Sequence, residues 1–377
     1  MLVSCVKTDG YTPEELDQVV ERHFAALHLS DTLSPSSRVA LKPNLLKGAR
    51  PDAAITTHPQ LAAAVVRWLR RRGVRRITLL DSPGGLYTPE LLKGIYRAAG
   101  MELAAQEGAV LNMDVSYQAV SFPQGEICRE FTLLSPLLEA DLVINLPKLK
   151  THAMTTLSGG VKNLLGCVPG LQKPELHFRF PQKERFAGML VDLALLVAPQ
   201  VTLLDGVMAM EGDGPAGGDP KYAGYTLASR DVFALDLLAC RLIGLDPMEA
   251  ATMAQSIRRG LCPPDPDQLE VTGDPCPVIP FRLPATAAGV DFTAFLPASL
   301  RRPARWCIDR LAAPRPVISR KDCIGCGRCA ESCPPKAISL ENRKARIDPK
   351  GCIRCYCCHE MCPVKAVRIR RLGLLRL

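Results

Sequence analysis

Aromatic residues are scarce in this 377-residue chain, at 5% of the total with only two tryptophans. Its apolar runs also stop short of the about 18 residues that a membrane-spanning helix needs. The second shortage argues against a transmembrane segment. The first removes the stacking platforms that single-stranded nucleic-acid sites set among basic residues, and no recognised nucleic-acid module occurs, so a nucleic-acid partner is not expected. The opening Met1-Leu2-Val3-Ser4-Cys5 reads as a strand, without the charged start and apolar stretch of a signal peptide. No Gly-x4-Gly-Lys-Ser/Thr loop is present, and neither a P-loop nor a dinucleotide reading is supported. Cysteine, by contrast, is abundant.

Eight of the 16 cysteines fall into two runs. The first is Cys323-x2-Cys326-x2-Cys329-x3-Cys333 followed by Pro334, the second Cys352-x2-Cys355-x2-Cys358-x3-Cys362 followed by Pro363. Three cysteines at this spacing wrap one face of a cubane in a tight loop with backbone amides directed at its sulfides, and the proline turns the chain away after the fourth. The spacing is that of [4Fe–4S] ligation, in which the fourth cysteine serves the cluster of the other run. Paired C-x-x-C units also build zinc sites, so a single run would be ambiguous; two complete runs favour iron–sulfur. An offset of 29 residues relates Cys323 to Cys352 and Cys333 to Cys362, and likewise Ile324 to Ile353, Glu331 to Glu360, Lys336 to Lys365 and Ala337 to Ala366. Such self-similarity marks two copies of one small unit. The segment from about 318 to 370 resembles the bacterial dicluster ferredoxins along its length. That resemblance implies two [4Fe–4S] clusters, cluster I on Cys323, Cys326, Cys329 and Cys362, cluster II on Cys333, Cys352, Cys355 and Cys358. Cys357 reads as a small buried apolar residue rather than an alternative ligand. His359, beside Cys358, is expected to tune or shield cluster II without ligating it.

The other cysteines (Cys5, Cys128, Cys167, Cys240, Cys262, Cys276, Cys307 and Cys357) are mostly scattered without a pairing pattern, which suits a reducing cytoplasm, and exposed low-potential clusters suit an anaerobic setting. The formal charge of +9 is unevenly placed: residues 318–377 hold 14 Lys and Arg against 5 Asp and Glu, leaving 33 of each sign in residues 1–317. Either the basic excess neutralises the clusters, or it forms a docking face for an acidic redox partner.

Residues 1–261 alternate strand and helix patterns. Short apolar, β-branched stretches at Met1–Val6, Arg38–Leu41, Arg75–Leu80, Asp141–Leu146 and Val201–Leu204 read as buried parallel strands. Helical patterns lie at Pro13–Leu29, His58–Arg72, Pro89–Ala98, Phe186–Val197 and Asp231–Leu245, the first capped by Thr12 with Pro13 and Glu15 behind it. The expected fold is α/β, a mostly parallel sheet flanked by helices, plus a small α+β dicluster ferredoxin-like domain over 318–377. Residues 262–317 carry 11 prolines and read as a linker and wrapping segment, with a short helix near Ala304–Leu311.

Parallel sheets place ligands beyond the carboxyl ends of their strands. Those ends carry Lys42-Pro43-Asn44, Asp81-Ser82-Pro83-Gly84-Gly85, Pro147-Lys148-Leu149-Lys150-Thr151-His152, Asp205-Gly206 and Met210-Glu211-Gly212-Asp213-Gly214-Pro215, with Gly159-Gly160-Val161-Lys162-Asn163-Leu164-Leu165-Gly166 between them. This set resembles the family catalogued as domain of unknown function 362, over roughly residues 1–280. The family's members often carry a C-terminal dicluster ferredoxin, but its undefined activity carries over no catalytic residue.

From their own chemistry, Lys42, Lys148, Lys150 and Lys162, with Asn44 and Asn163, are candidates for an anionic substrate or cofactor. Asp81, Asp205 and Glu211 are candidates for proton transfer or a Mg²⁺ site, and His152 for a general acid or base. Glycines 159, 160, 212, 214, 217 and 218 are expected to let amides approach a ligand. Solvated loop charges and plain turn glycines are the competing reading. His58 is expected at a helix start, His23 and His28 on the surface; His177 has no assigned place. The functional expectation is an iron–sulfur electron-transfer protein delivering low-potential electrons to an anionic substrate in the α/β domain. The alternatives are an electron carrier whose N-terminal domain only docks or senses a ligand, or an iron–sulfur maturation factor.

Overall fold

The computed structural model describes residues 1–170, 172–287 and 314–370. Strands form at the five apolar stretches: β1 (Leu2–Lys7), β2 (Arg38–Pro43) and β3 (Arg76–Leu79) are followed by the two-residue β4 (Val110–Leu111). β5 (Tyr117–Ser121) and β6 (Glu130–Leu134) pair only with each other. Then come β7 (Leu142–Leu146), β8 (Lys148–His152), β9 (Thr156–Ser158), β10 (Val201–Glu211), β11 (Asp219–Ser229) and β12 (Glu270–Gly273). The main sheet has the order β12-β1-β11-β10-β7-β2-β3-β4. All its neighbours run parallel except at β11, which opposes both β10 and β1. β8 adds to β10 in parallel, and β9 folds back on β8.

Local chemistry starts the helices. The Thr12 hydroxyl accepts from the Glu15 amide at 3.4 Å, and His58 Nδ1 accepts from the Gln60 amide at 3.3 Å ahead of Pro59. Helices Pro13–Ala26, Pro59–Arg71 and Pro89–Ala98 cover one sheet face, where Leu16, Phe24 and Trp68 meet Leu41 and Leu203. Helices Lys183–Val197 and Val232–Ile243 cover the other, where Leu190 and Leu238 meet Val143 and Leu204. The change of face between Leu203 and Leu204 is the period of two along β10.

Three expectations change. The strand expected to end at Leu204 runs on to Glu211, because Asp205 is buried and neutralised by Lys148, so this charge does not mark a strand end. The string Gly212-Asp213-Gly214-Pro215-Ala216-Gly217 has dinucleotide-fingerprint spacing, but it occupies the β10–β11 turn and opens no helix. β12, within the stretch expected to be linker, completes the sheet beside β1. The helix expected near Ala304–Leu311 lies outside the described residues. His28 is exposed as expected, whereas His23 is fully buried, its ring nitrogens 2.8 and 2.9 Å from the hydroxyls of Ser4 and Thr226.

The C-terminal domain repeats its backbone as its sequence does. β13 (Arg315–Ile318) pairs with β16 (Val367–Arg370), and β14 (Ile338–Glu341) with β15 (Lys344–Ile347), both antiparallel. The registers Ile318↔Val367 and Ile338↔Ile347 exchange under the repeat. Positive φ recurs at Gly325 and Arg354, at Gly327 and Tyr356, and at Lys336 and Lys365. Cys333 Sγ accepts from the Ala337 amide at 3.3 Å, and Cys362 Sγ from the Ala366 amide at 3.1 Å.

This domain docks on the carboxyl-end side of the sheet. Lys47 donates to the carbonyls of Glu360 and Cys362 at 3.4 and 3.3 Å, and Lys365 to that of Gly218 at 3.0 Å. The His359 ring bridges the domains, its nitrogens 2.7 Å from the Val367 carbonyl and 2.8 Å from that of Asp213.

Candidate functional site

The strand-end lysines divide into two kinds. Lys148 is fully buried and lies 2.9 Å from Asp205, whose other oxygen accepts from the Tyr11 hydroxyl at 2.7 Å. The His58 amide and the Tyr11 ring over His58 complete this group. Lys42 is likewise fully buried, 2.9 Å from Asp81, whose second oxygen accepts from the Leu45 amide at 2.7 Å. Two of the four lysines expected to share an anion pocket are thus committed to internal carboxylates. Asp205 and Lys148 lock β10 to β8, and the reason is electrostatic: each would be an uncompensated buried charge without the other.

Lys150 and Lys162 instead line a cavity between the two domains, together with Asn44, Asn163, Asp81 and His152. Lys173, from helix Gln172–Arg179, is a third ammonium on this wall. The Lys150 ammonium donates to Asn44 Oδ1 at 2.7 Å, Asn44 Nδ2 to Asn163 Oδ1 at 3.0 Å, and Asn163 Nδ2 to Asn145 Oδ1 at 2.7 Å. This amide chain fixes the floor. Lys173 donates to the carbonyls of Ser82 and Pro83. The Lys162 ammonium makes no hydrogen bond among the described residues and lies 5.9 Å from the centre of the Phe186 ring. Burial pushes Lys150 and Lys173 down to about 7, with Lys162 adding to the effect, and burial lowers Lys162 itself.

The opposite wall belongs to the cysteine-rich domain: Ser332, Cys357, Glu360 and Met361. His152 Nδ1 accepts from the Met154 amide at 2.9 Å, so the proton of the neutral ring sits on Nε2, 3.2 Å from Glu360 Oε1. Burial and the nearby Lys162 hold His152 down to about 4, leaving it a neutral hydrogen-bond donor near pH 7. The Glu360 carboxyl is buried, but His152, Lys162 and His177 keep it well below the usual carboxylate range. His177 stacks on Phe186 and lines the cavity, and its Nδ1 is buried without a partner among the described residues.

The expected carboxylate set does not assemble. Asp81 reaches the cavity, Asp205 serves the Lys148 lock, and Glu211 accepts from the Arg282 amide at 3.0 Å. Among the described residues no three His, Cys, Asp or Glu side chains converge on a site for a single metal ion. The glycines are closely packed against protein. A Cβ at Gly159 would strike Asp236, which accepts from the Gly160 and Val161 amides, and a Cβ at Gly217 would strike His359. Lys173, His177 and Glu360 were missed as site residues. Glu360 had a repeat partner in Glu331, but Glu331 is exposed and does not line the cavity.

The cysteines gather in two sets. One cavity is lined by Cys323, Cys326, Cys329 and Cys362, and another by Cys333, Cys352, Cys355 and Cys358. A cubane takes one thiolate at each iron, so its sulfurs surround a cage rather than converge on a point. These cavities suit that arrangement.

Residues 39–241, over half of the chain, match the family described as Domain of unknown function (DUF362). The chain belongs to this family. Residues 322–366 match a 4Fe-4S dicluster domain, which makes this family member an iron–sulfur protein with an electron-transfer role. The chain is 38% identical over 241 residues to the thylakoid-associated protein sll1697 of Synechocystis sp., an alignment covering 62% of this chain and 72% of that one. It also aligns with the apoprotein of lactate racemase from Thermoanaerobacterium thermosaccharolyticum, at 13% identity and a TM-score of 0.39. That alignment covers 64% of this chain and 56% of the racemase. No helix among the described residues is long and apolar enough to cross a membrane.

Proposed function

We propose that this protein delivers low-potential electrons to an anionic small molecule held in the interdomain cavity, as a cytoplasmic iron–sulfur oxidoreductase of anaerobic metabolism. Two [4Fe–4S] clusters would supply one-electron transfers, the first held by Cys323, Cys326, Cys329 and Cys362, the second by Cys333, Cys352, Cys355 and Cys358. One observation carries the reading: the wall of a lysine-lined cavity is completed by Ser332, Cys357, Glu360 and Met361, residues interleaved with those cysteines.

Within the cavity, Lys150, Lys162 and Lys173 bind the anion, and Asn44 and Asn163 orient Lys150 toward it. With Asp81 neutralised by Lys42, three ammonium groups facing the Glu360 carboxylate leave the buried site cationic, which suits a dianion such as a dicarboxylate or phosphate ester. Lys150 and Lys173, with pKa values near 7, can exchange protons with a reduced substrate at neutral pH, which a neutral His152 does not. His152 Nε2–H holds the Glu360 carboxylate in place, and the docked domain covers the cavity.

Anaerobically reconstituted protein is expected to hold about eight iron and eight sulfide per chain and to give interacting paramagnetic signals on reduction. Titration with succinate, malonate or phosphate should perturb those signals and raise the melting temperature. Intact clusters with no response to any anion would leave the N-terminal domain as a docking or sensing module. Stoichiometric zinc without sulfide would overturn the iron–sulfur assignment to these cysteines.

A further inference from the structure

The cysteine-rich domain presents a second concave face. A groove runs between β13, β15 and the loop carrying Cys352, lined by Arg315, Arg320, Arg346 and Arg354 over an aliphatic floor that includes Val317. Every lining residue comes from this domain, and none is shared with the substrate cavity. That cavity is met instead by residues of helix Cys357–Met361 and by Ser332, which follows helix Arg328–Glu331. The domain therefore has one face toward the α/β sheet and another with a basic rim.

The groove lies at a metal-ligand cysteine. Cys352 is half-buried and is one of its lining residues, whereas Cys355 and Cys358 of the same set are buried. A protein bound here would approach the second cluster through one thiolate and little intervening chain. The charge selects the partner: residues 318–377 carry 14 basic against 5 acidic side chains, while the rest of the molecule is balanced. Arg346 is paired with Glu341 at 3.1 Å, but both are well exposed, and such a pair offsets little of the local field. The aliphatic floor gives a bound surface something to desolvate beyond the charge contacts.

We infer that this groove is the docking site of an acidic electron-donor protein, so that electrons arrive beside Cys352 on one face and leave toward the lysine-lined cavity on the other. This rests on cluster binding by the cysteines but not on the identity of the substrate. The occupant is a folded protein with carboxylates around its own redox centre. The competing surface is the apolar rim of the first cysteine set, where Cys326 and Ile324 are exposed, Ile324 at 62%.

The test uses the full chain with its clusters reconstituted, and two reductants. Reduced flavodoxin serves as the acidic protein probe, and reduced methyl viologen as a small cation that needs no docking surface. In the double variant Arg320→Glu and Arg346→Glu, the second-order rate with flavodoxin at low salt should fall about tenfold or more and lose its dependence on ionic strength. The viologen rate, iron content and cluster potentials should stay as in the unaltered protein. An unchanged, salt-dependent flavodoxin rate would overturn the proposal. So would slowing by Ile324→Glu in place of the arginine variant, which would move docking to the first cysteine set. Equal slowing with both reductants, or shifted potentials, would mean that the arginines neutralise the clusters instead of recruiting a partner.

Discussion

Lys148 and Lys162 show how one residue type takes opposite roles at neighbouring strand ends. Removing the Lys162 ammonium should cost an anion contact of about 1.5–3 kcal/mol, hence roughly tenfold or more in affinity, with folding and iron content nearly unchanged. Lys148→Ala should behave differently, stranding the fully buried Asp205 and destabilising the fold by about 3–5 kcal/mol, with affinity affected only through the fold. Denaturant melts beside anion titrations separate the two. The pH dependence follows from Lys150 and Lys173. Their pKa in the fold, about 7, lies below the ordinary 10.5, so below pH 7 folding must bury charged ammonium groups. Their contribution to stability therefore rises with pH between about 7 and 10.5 in the empty protein. An anion favours the ammonium form and raises both values. Binding should be strongest below pH 7 and weaken above it, and at pH 8 it should take up protons, read by calorimetry in buffers of different ionisation enthalpy.

At the scale of elements, the repeat and the docking loop make separate predictions. Cys333 belongs to the first run, yet it lines the cavity of Cys352, Cys355 and Cys358. Cys333→Ala should therefore damage the second cluster and spare the first, and spectroscopic loss confined to the first would reverse the assignment. The turn between β10 and β11 receives the His359 ring at Gly217, with no space there for a Cβ. Gly217→Ala should cost about 1–3 kcal/mol through overpacking. It should also loosen the docked domain, seen as faster hydrogen exchange in Cys357–Met361 than in β7. Equal exchange would mean that the contact does not hold the domains together.

For the molecule as a whole, the cavity and the clusters are coupled by charge. Reduction adds an electron beside a cavity that prefers an anion, so the two should oppose each other reciprocally. Saturating malonate should lower the potential of the nearer cluster, by about 59 mV for each tenfold difference in affinity between oxidised and reduced protein. Spectroelectrochemistry with and without malonate measures it. An unshifted potential in a protein shown to bind malonate would separate the cavity from electron transfer.

The sequence by itself determined what local spacing encodes. Four-cysteine runs, the 29-residue repeat, Thr12 and His58 as helix starts, and five buried strands all depend on neighbours a few residues apart, and each is found where the pattern put it, save that the fifth strand runs on to Glu211. Strand-end positions also led to Asn44, Lys150, His152, Lys162 and Asn163 on the cavity wall. Only the tertiary structure decided which charges were free to act. Lys42 and Lys148 meet carboxylates from other strands, and His23 finds its partners on β1 and β11. β11 itself went unseen because Asp219–Ser229 opens with polar and exposed residues and gains its register only against β10. Lys173, His177 and Glu360 had no strand-end signal. They reach the site because a helix and a second domain close over it, where burial lowers the proton affinity of Lys173 and His177 while His152 and Lys162 keep Glu360 ionised.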